Sequence, residues 1–414
     1  MFEPSGCGPL LDRQNDSDVS LRQRVFEHVR ANGRAARADV TRALDISPGS
    51  STALTAELIS SGFLREVEGA PRETGRGRPP IALEVVEQAA FVIGIKLAFA
   101  RHTAVLSDFA GNVMATATFP SKGPRRSVDQ LVAEIEGLVD AVLKKKRMHR
   151  KDVKAIGIGL PGIVDHTTGI VSWSSLLKHP NQDLRNACLL QFDIPIFLEN
   201  DTNMLTLSEL WFGEGRDKTD FAVVTIENGV GMGLVVNNRL FRGTHGMGLE
   251  LGHTKVQLDG ALCRCGQRGC LEAYLGDYAL TREAAVALEF DTSVSRPDST
   301  EDLLDELFRQ AKAGNTSAQT IFRRAGRYLS VGLANVIQMF DPPVIILSGE
   351  RMQYEYLYAD LVFAEAQKLT LSNGRAPCPI TIRAWNDLVW ARGATVPALS
   401  ALTDTMIGSL DVDV

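Results

Sequence analysis

Between Ser20 and Gly62 the apolar positions recur at helical spacing. LRQRVFEHVRANG carries Leu21, Val25, Phe26 and Val29 on one face and stops at Gly33, and ARADVTRALD repeats the pattern with Val40 and Leu44. After Ser47, Pro48 and Gly49, the stretch SSTALTAELISSGFL predicts a third amphipathic helix closed by Gly62. Three short helices with a tight turn before the third predict a helix-turn-helix. LREVE then reads as a strand, and RETGRGRPPIALEV as a loop followed by a returning strand, which adds a wing and closes this domain over residues 19–85. Residues 1–18, polar and rich in Gly, Pro and Asp, are expected to be a flexible lead.

From Ala90 the pattern changes. FVIGIKLAFARHTAVLSDFAGNVMATATF predicts successive strands with a turn near Ala110 and Gly111, and a helix follows from about Ser127 to Lys146. The strands AIGIGLPGIVD and IPIFLEND, the helix TNMLTLSELWFG and the strand pair FAVVTIENGVGMGLVVNN come next. Strands alternating with helices define an α/β class. The run KKKRMHRK at 144–151 ends a helix, where cations complement the helix dipole, so it reads as a solvated terminus.

Composition narrows the function classes. At 414 residues and 44% hydrophobic content the chain can build two or three cores. Its net charge is -6, yet the first eighty residues hold 11 Arg against 11 Asp plus Glu, so the amino-terminal part is the relatively basic one. Any nucleic-acid contact must therefore come from a local patch. No apolar stretch is long enough for a membrane helix and the start lacks a signal-peptide core, so a cytoplasmic protein without membrane contact is expected.

Double-stranded DNA is the expected partner of the amino-terminal domain. Ser50, Ser51, Thr52 and Thr55 lie at the start of the third helix, where such side chains reach base edges or phosphates. Arg72, Arg76 and Arg78 sit among Gly75, Gly77, Pro79 and Pro80, a composition suited to following a phosphate backbone or entering a minor groove. A plain linker is the alternative for that arginine segment, and a protein-interaction domain for the helices. Paired half-sites would require two recognition helices, hence a homodimer or homotetramer.

The most specific local pattern is ELGHTKVQLDGALCRCGQRGCLEAY, residues 250–274. Cys263, Cys265 and Cys270 with His253 supply three thiolates and an imidazole, a complete tetrahedral set for one structural Zn2+ per chain. Gly266 and Gly269 permit the tight turns that convergence needs. Cys7, Cys188 and Cys378 stand apart and read as ordinary thiols.

This segment resembles the zinc signature of the ROK family of sugar kinases and sugar-responsive repressors, a likeness that runs from about Ala90 to the end. It implies a sugar-kinase-like, actin-like ATPase fold in two lobes with a cleft between them. The first lobe would span 86–205 plus 390–414, and the second 206–389. It also implies that Glu250, His253 and Glu272 contact sugar hydroxyls, together with Asn200 and Asp201 of IFLENDTN and Pro161 and Gly162 of GLPGIVD. In the family's kinases the residue matching Asp201 is the general base. On pattern alone, the Asn-Asp pair is also a common helix cap and GLPGIVD a common turn.

The nucleotide half departs from the kinase pattern. Lys96 stands where those enzymes carry an acidic residue, and Leu97 and Phe99 stand where glycines admit phosphates. ENGVGMG has Glu227 and Asn228 in place of Gly-Thr, and Glu350 follows Gly349 where another glycine is usual. The resemblance therefore implies a non-enzymatic regulator, a repressor whose operator binding is set by a sugar. An ATP-dependent sugar kinase with an appended DNA-binding domain is the alternative.

Overall fold

The computed structural model describes residues 6–11, 19–68, 81–123, 125–244, 246–288, 299–349, 352, 360–371, 374, 376–386 and 388–408. The chain forms two compact units, one comprising Met1–Thr219, Val235–Leu240 and Asp387–Val414, the other Asp220–Leu234 and Phe241–Asn386.

The first unit opens with α1 (Leu21–Asn32), β1 (Arg34–Ala36), α2 (Arg37–Leu44), α3 (Pro48–Ser60), β2 (Leu64–Glu68) and β3 (Ile81–Val85). Local chemistry sets these boundaries. Ser20 accepts from Gln23 N at the start of α1, and Gly33, at φ 71°, ends it. Ser47 caps α3 with Pro48 in its first turn. The three strands pair in the order β1-β3-β2 beside the three helices, the arrangement of a winged helix-turn-helix. β1 is absent from the sequence reading because three residues are too short for a period to register. The expected loop carrying Arg72, Arg76 and Arg78 lies outside the described residues.

The rest of the unit is a sheet of β4 (Phe91–Lys96), β5 (Arg101–Asp108), β6 (Val113–Pro120), β7 (Val153–Leu160) and β11 (Ile196–Asn200), ordered β11-β7-β4-β5-β6. Its central strands are buried, and α4 (Val128–Lys146) and α5 (Leu184–Phe192) complete a core that includes Ile93, Ile95, Leu138, Val142 and Ile158. A small sheet of β8 (Ile163–Val164), β9 (Ile170–Trp173) and β10 (Gln182–Asp183) follows β7. α6 (Asp201–Phe212) and the carboxy-terminal α12 (Leu388–Thr403) pack against each other, with Gly393 close against Met204 O. The expected lobe boundary at 205/206 is therefore corrected: it falls inside α6, a continuous helix of the first unit, and the division lies after Thr219.

The second unit is built on β12 (Phe221–Ile226), β13 (Val230–Val236), β14 (Arg239–Phe241), β15 (Ile345–Gly349) and β16 (Ile380–Ala384), ordered β14-β13-β12-β15-β16. Counted within themselves, both sheets have the order 3-2-1-4-5, a shared topology that makes the α/β region an actin-like fold. α7 (Glu272–Leu275), α8 (Asp277–Ala287), α9 (Thr300–Lys312), α10 (Thr316–Phe340) and α11 (Asp360–Lys368) complete it. Its core includes Leu271, Leu307, Phe322 and Leu333. No described helix is long and apolar enough to cross a membrane.

Candidate functional site

The second unit carries the metal loop. The donor atoms of His253, Cys263, Cys265 and Cys270 all lie within 4.8 Å of one another. His253 Nδ1 is 3.7 Å from Cys263 Sγ, and Cys265 Sγ is 3.7 Å from Cys270 Sγ. Ligands about 2.3 Å from a tetrahedral zinc are spaced about 3.8 Å apart, so spacing and donor chemistry both fit a metal ion. Gly269 is required by close approach: at φ 74°, a Cβ would sit 1.7 Å from Gln257 O. Two partners that the motif does not reveal stand behind the thiols. Lys255 Nζ donates to Cys270 Sγ at 3.0 Å, and Tyr278 OH donates to Cys263 Sγ at 3.6 Å.

Glu272 and Glu250 flank this loop differently. Glu272 begins α7 beside the cluster, with Oε1 3.7 Å from Cys263 Sγ and Oε2 accepting from Val230 N at 3.4 Å. Glu250 precedes the short turn Leu251–His253 and is exposed. The start of the Gly-rich run, Glu227, Asn228 and Gly229, is the β12–β13 turn, and its residues engage the metal loop. Arg264 Nη1 donates to Asn228 Oδ1 at 2.8 Å, and a Cβ on Gly229 would meet Glu272 Oε2 at 2.7 Å.

In the first unit, parallel pairing sets Asn200 opposite Leu160, so the end of β11 and the turn after β7 share one sheet edge. Asn200 Nδ2 donates to Gly162 O at 2.8 Å, while its Oδ1 accepts from Thr202 N at 2.9 Å and caps α6. Ser174 Oγ holds Pro161 O at 2.6 Å. Gly162, at φ 133°, has Trp173 O where a Cβ would be, 2.1 Å away. Pro161, Gly162, Asn200 and Asp201 thus form one corner, in which Asn200 is a helix cap and Pro161–Gly162 a turn.

Asp201 opens α6, where the helix dipole favours a carboxylate. Burial pushes its carboxyl above the usual range, and the Lys96 charge pulls the other way. Lys96 ends β4, is 6% exposed, and sets Nζ 3.7 Å above the Trp390 ring.

The loop after Lys96 is committed internally. Leu97 N donates to Gly159 O at 2.8 Å and the Leu97 side chain is buried. Ala98 N donates to His102 Nδ1 at 3.0 Å; the other ring nitrogen pairs with Glu134 Oε2 at 2.8 Å, and Glu134 Oε1 accepts from Arg126 Nε at 2.6 Å. Burial lowers the affinity of His102 for a second proton, consistent with a neutral ring donating to Glu134.

In the winged helix, Ser50 and Thr52 are exposed, but Ser51 and Thr55 are buried at 1% and 0%. This corrects the expectation that all four face DNA: Thr55 Oγ1 accepts from Arg37 Nε at 2.9 Å, which commits it to the contact between α2 and α3. The expected flexible lead is also corrected for residues 6–11. Cys7 N donates to Arg30 O at 3.0 Å, Gly8 N to Trp211 O at 2.9 Å and Leu10 N to Arg216 O at 2.7 Å. Arg30 lies over Trp211, with Nη1 on Thr403 Oγ1 at 2.8 Å, while Arg22 Nε reaches Ile407 O at 2.8 Å. These contacts join α1 to α6 and α12. A Gly- and Pro-rich stretch gives no periodic signal of such packing.

A winged helix ahead of two such sheets, with a His/Cys3 loop in the second, defines a DNA-binding regulator built on an actin-like, sugar-kinase-type fold. The chain belongs to the ROK family: the family model matches residues 92–399. It is 27% identical over 339 residues to a xylose repressor of Caldicellulosiruptor bescii, covering 81% of this chain and 84% of that protein. It is likewise 27% identical over 328 residues to the transcriptional dual regulator NagC of Escherichia coli, covering 79% of each. Among solved structures, a ROK family transcriptional regulator homologous to the E. coli MLC protein covers 95% of this chain and 98% of its own, at TM-score 0.77 and 23% identity. A ROK family glucokinase from Streptomyces griseus, in complex with glucose and AMPPNP, covers 74% of this chain and 99% of its own, at TM-score 0.63 and 25% identity.

Proposed function

We propose that this chain is a sugar-responsive transcriptional repressor that binds its effector without phosphorylating it. The relatives named for xylose and N-acetylglucosamine support a neutral sugar as the effector. The corner of Pro161, Gly162, Asn200 and Asp201 and the loop bearing Glu250, His253 and Glu272 each offer directional partners for hydroxyls. A zinc ion on His253, Cys263, Cys265 and Cys270 keeps that loop in shape; Lys255 and Tyr278 brace the thiolates. The protein acts in the cytoplasm as a homodimer or homotetramer on a DNA operator, with Ser50 and Thr52 at the bases and Arg72, Arg76 and Arg78 along the backbone.

One observation carries the non-enzymatic reading: the amides of Leu97 and Ala98 are spent on Gly159 and His102, in the loop where family kinases admit phosphates. Phosphoryl transfer depends on positioned donors and a divalent cation. Here two of the loop's amides are taken, and the Lys96 ammonium stands in place of the acidic residue that would help hold the cation. An ATP-turnover assay over xylose, glucose, N-acetylglucosamine and N-acetylmannosamine is expected to show no sugar-dependent hydrolysis. Phosphorylation of any of them would establish the kinase instead.

A further inference from the structure

The recognition helix has an unusual chemical inventory. α3, PGSSTALTAELIS, contains no Arg, Lys, His, Asn or Gln. Its outward face presents Gly49, Ser50, Thr52, Ala53 and Ala56. The hydroxyls on that face are already engaged: Thr52 Oγ1 donates to Pro48 O at 2.8 Å, and Ser50 Oγ pairs with Ser47 Oγ at 2.9 Å. Thr52 thus spends its hydroxyl proton on its own helix and keeps its γ-methyl. Among the described residues, Arg37 is matched within the domain to Glu66 at 2.8 Å, and both Arg34 and Arg65 to Glu84.

The major groove distinguishes bases by hydrogen-bond pattern and by the thymine C5-methyl. Guanine is read by bidentate Arg or Lys, adenine by bidentate Asn or Gln, and thymine by apolar contact with groups such as an Ala or Thr methyl. The exposed face of α3 has none of the first two kinds and three of the third, Thr52, Ala53 and Ala56. Its small side chains also let the helix backbone approach the groove floor closely. We propose that α3 selects its operator by packing the methyls of Thr52, Ala53 and Ala56 against thymine C5-methyl groups. Base choice in the major groove then comes from shape and apolar contact. This rests on the DNA-binding regulator reading, in which the winged-helix fold, not the run of small residues, defines the interface.

Selection of duplexes from a random library by the full-length protein, followed by anisotropy titration, tests this. Enriched half-sites are expected to place thymines where α3 docks. Deoxyuridine in place of those thymines should weaken binding fivefold or more, with no effect outside the half-sites. Cytosine at one such position should weaken binding, and 5-methylcytosine should recover part of the loss. Thr52→Ser keeps the helix hydrogen bond and removes only the methyl, and should relax the preference at one position about threefold with an unchanged melting temperature. Half-sites dominated by guanine, or binding indifferent to deoxyuridine, would overturn the thymine-methyl mode while leaving DNA binding intact. Enrichment of no sequence, with no duplex bound, would overturn both.

Discussion

The metal loop and the Asp201 corner hold polar groups in fixed positions by opposite means. The loop's own apolar cluster consists of Cys263, Cys270 and Ala273, two of which are candidate metal ligands. Its shape comes from the four donors, the Lys255 and Tyr278 contacts, a stacked pair, Tyr274 and Tyr328 at 3.8 Å, and local backbone bonds such as Cys263 N to Gln267 O at 2.8 Å and Gly269 N to Ala261 O at 2.9 Å. The corner instead stands on the end of a parallel strand pair whose sheet is buried by α4 and α5. Asn200 and Asp201 sit where they do because β11 ends there and α6 begins. The contrast teaches what an ion would do in such a loop: ligation by the four donors would stand in for a larger core, and local order would then depend on the ion.

The largest expected effect follows from that dependence. Removing the metal with a strong chelator, or by Cys265→Ser, is expected to speed amide exchange throughout 250–274 and abolish the sugar response, while β11 and α6 keep their protection. Equal loss of protection in both regions would erase the distinction. Breaking the corner requires a backbone change instead. Gly162→Ala places a Cβ against Trp173 O at a positive φ and is expected to cost about 2 kcal/mol in thermal unfolding, with metal content unchanged.

Finer changes separate ligand contacts from scaffolding. Asp201→Ala should weaken the sugar by about 1–3 kcal/mol, roughly fivefold to 150-fold, because a buried partner is left unsatisfied, and Glu250→Ala, at an exposed position, should weaken it less. Operator affinity without sugar should be retained in both, as read by anisotropy. The smallest effect on either region is expected from the wing arginines: Arg76→Ala with Arg78→Ala should weaken all DNA sequences alike and make the salt slope shallower by about one per lost phosphate contact. Sugar affinity and metal content should not move.

Motif-borne features were legible in the sequence because their chemistry is local. Three thiols and an imidazole within one loop, the Gly33 helix stop, the Ser47–Gly49 turn and the Asn200–Asp201 pair each announce themselves within a few residues. What escaped depends on phase or on distant contacts. Ser51 and Thr55 differ from Ser50 and Thr52 only in the helical angle at which α3 meets α2. The bond from Ala98 N to His102 joins residues four apart, but the Glu134 and Arg126 that fix the ring come from α4 and the segment before it. The packing of residues 6–11 depends on Arg30, Trp211 and Arg216, which composition could not bring together.

The most direct measurement is the affinity of the full-length protein for a selected operator duplex, titrated with each sugar of the panel in the presence of ATP while ADP release is followed. One sugar is expected to change operator affinity at least tenfold with no ADP released, and Asp201→Ala should lose that response. Operator affinity unmoved by every sugar, or ADP release in step with the added sugar, would contradict a repressor that senses sugar by binding alone.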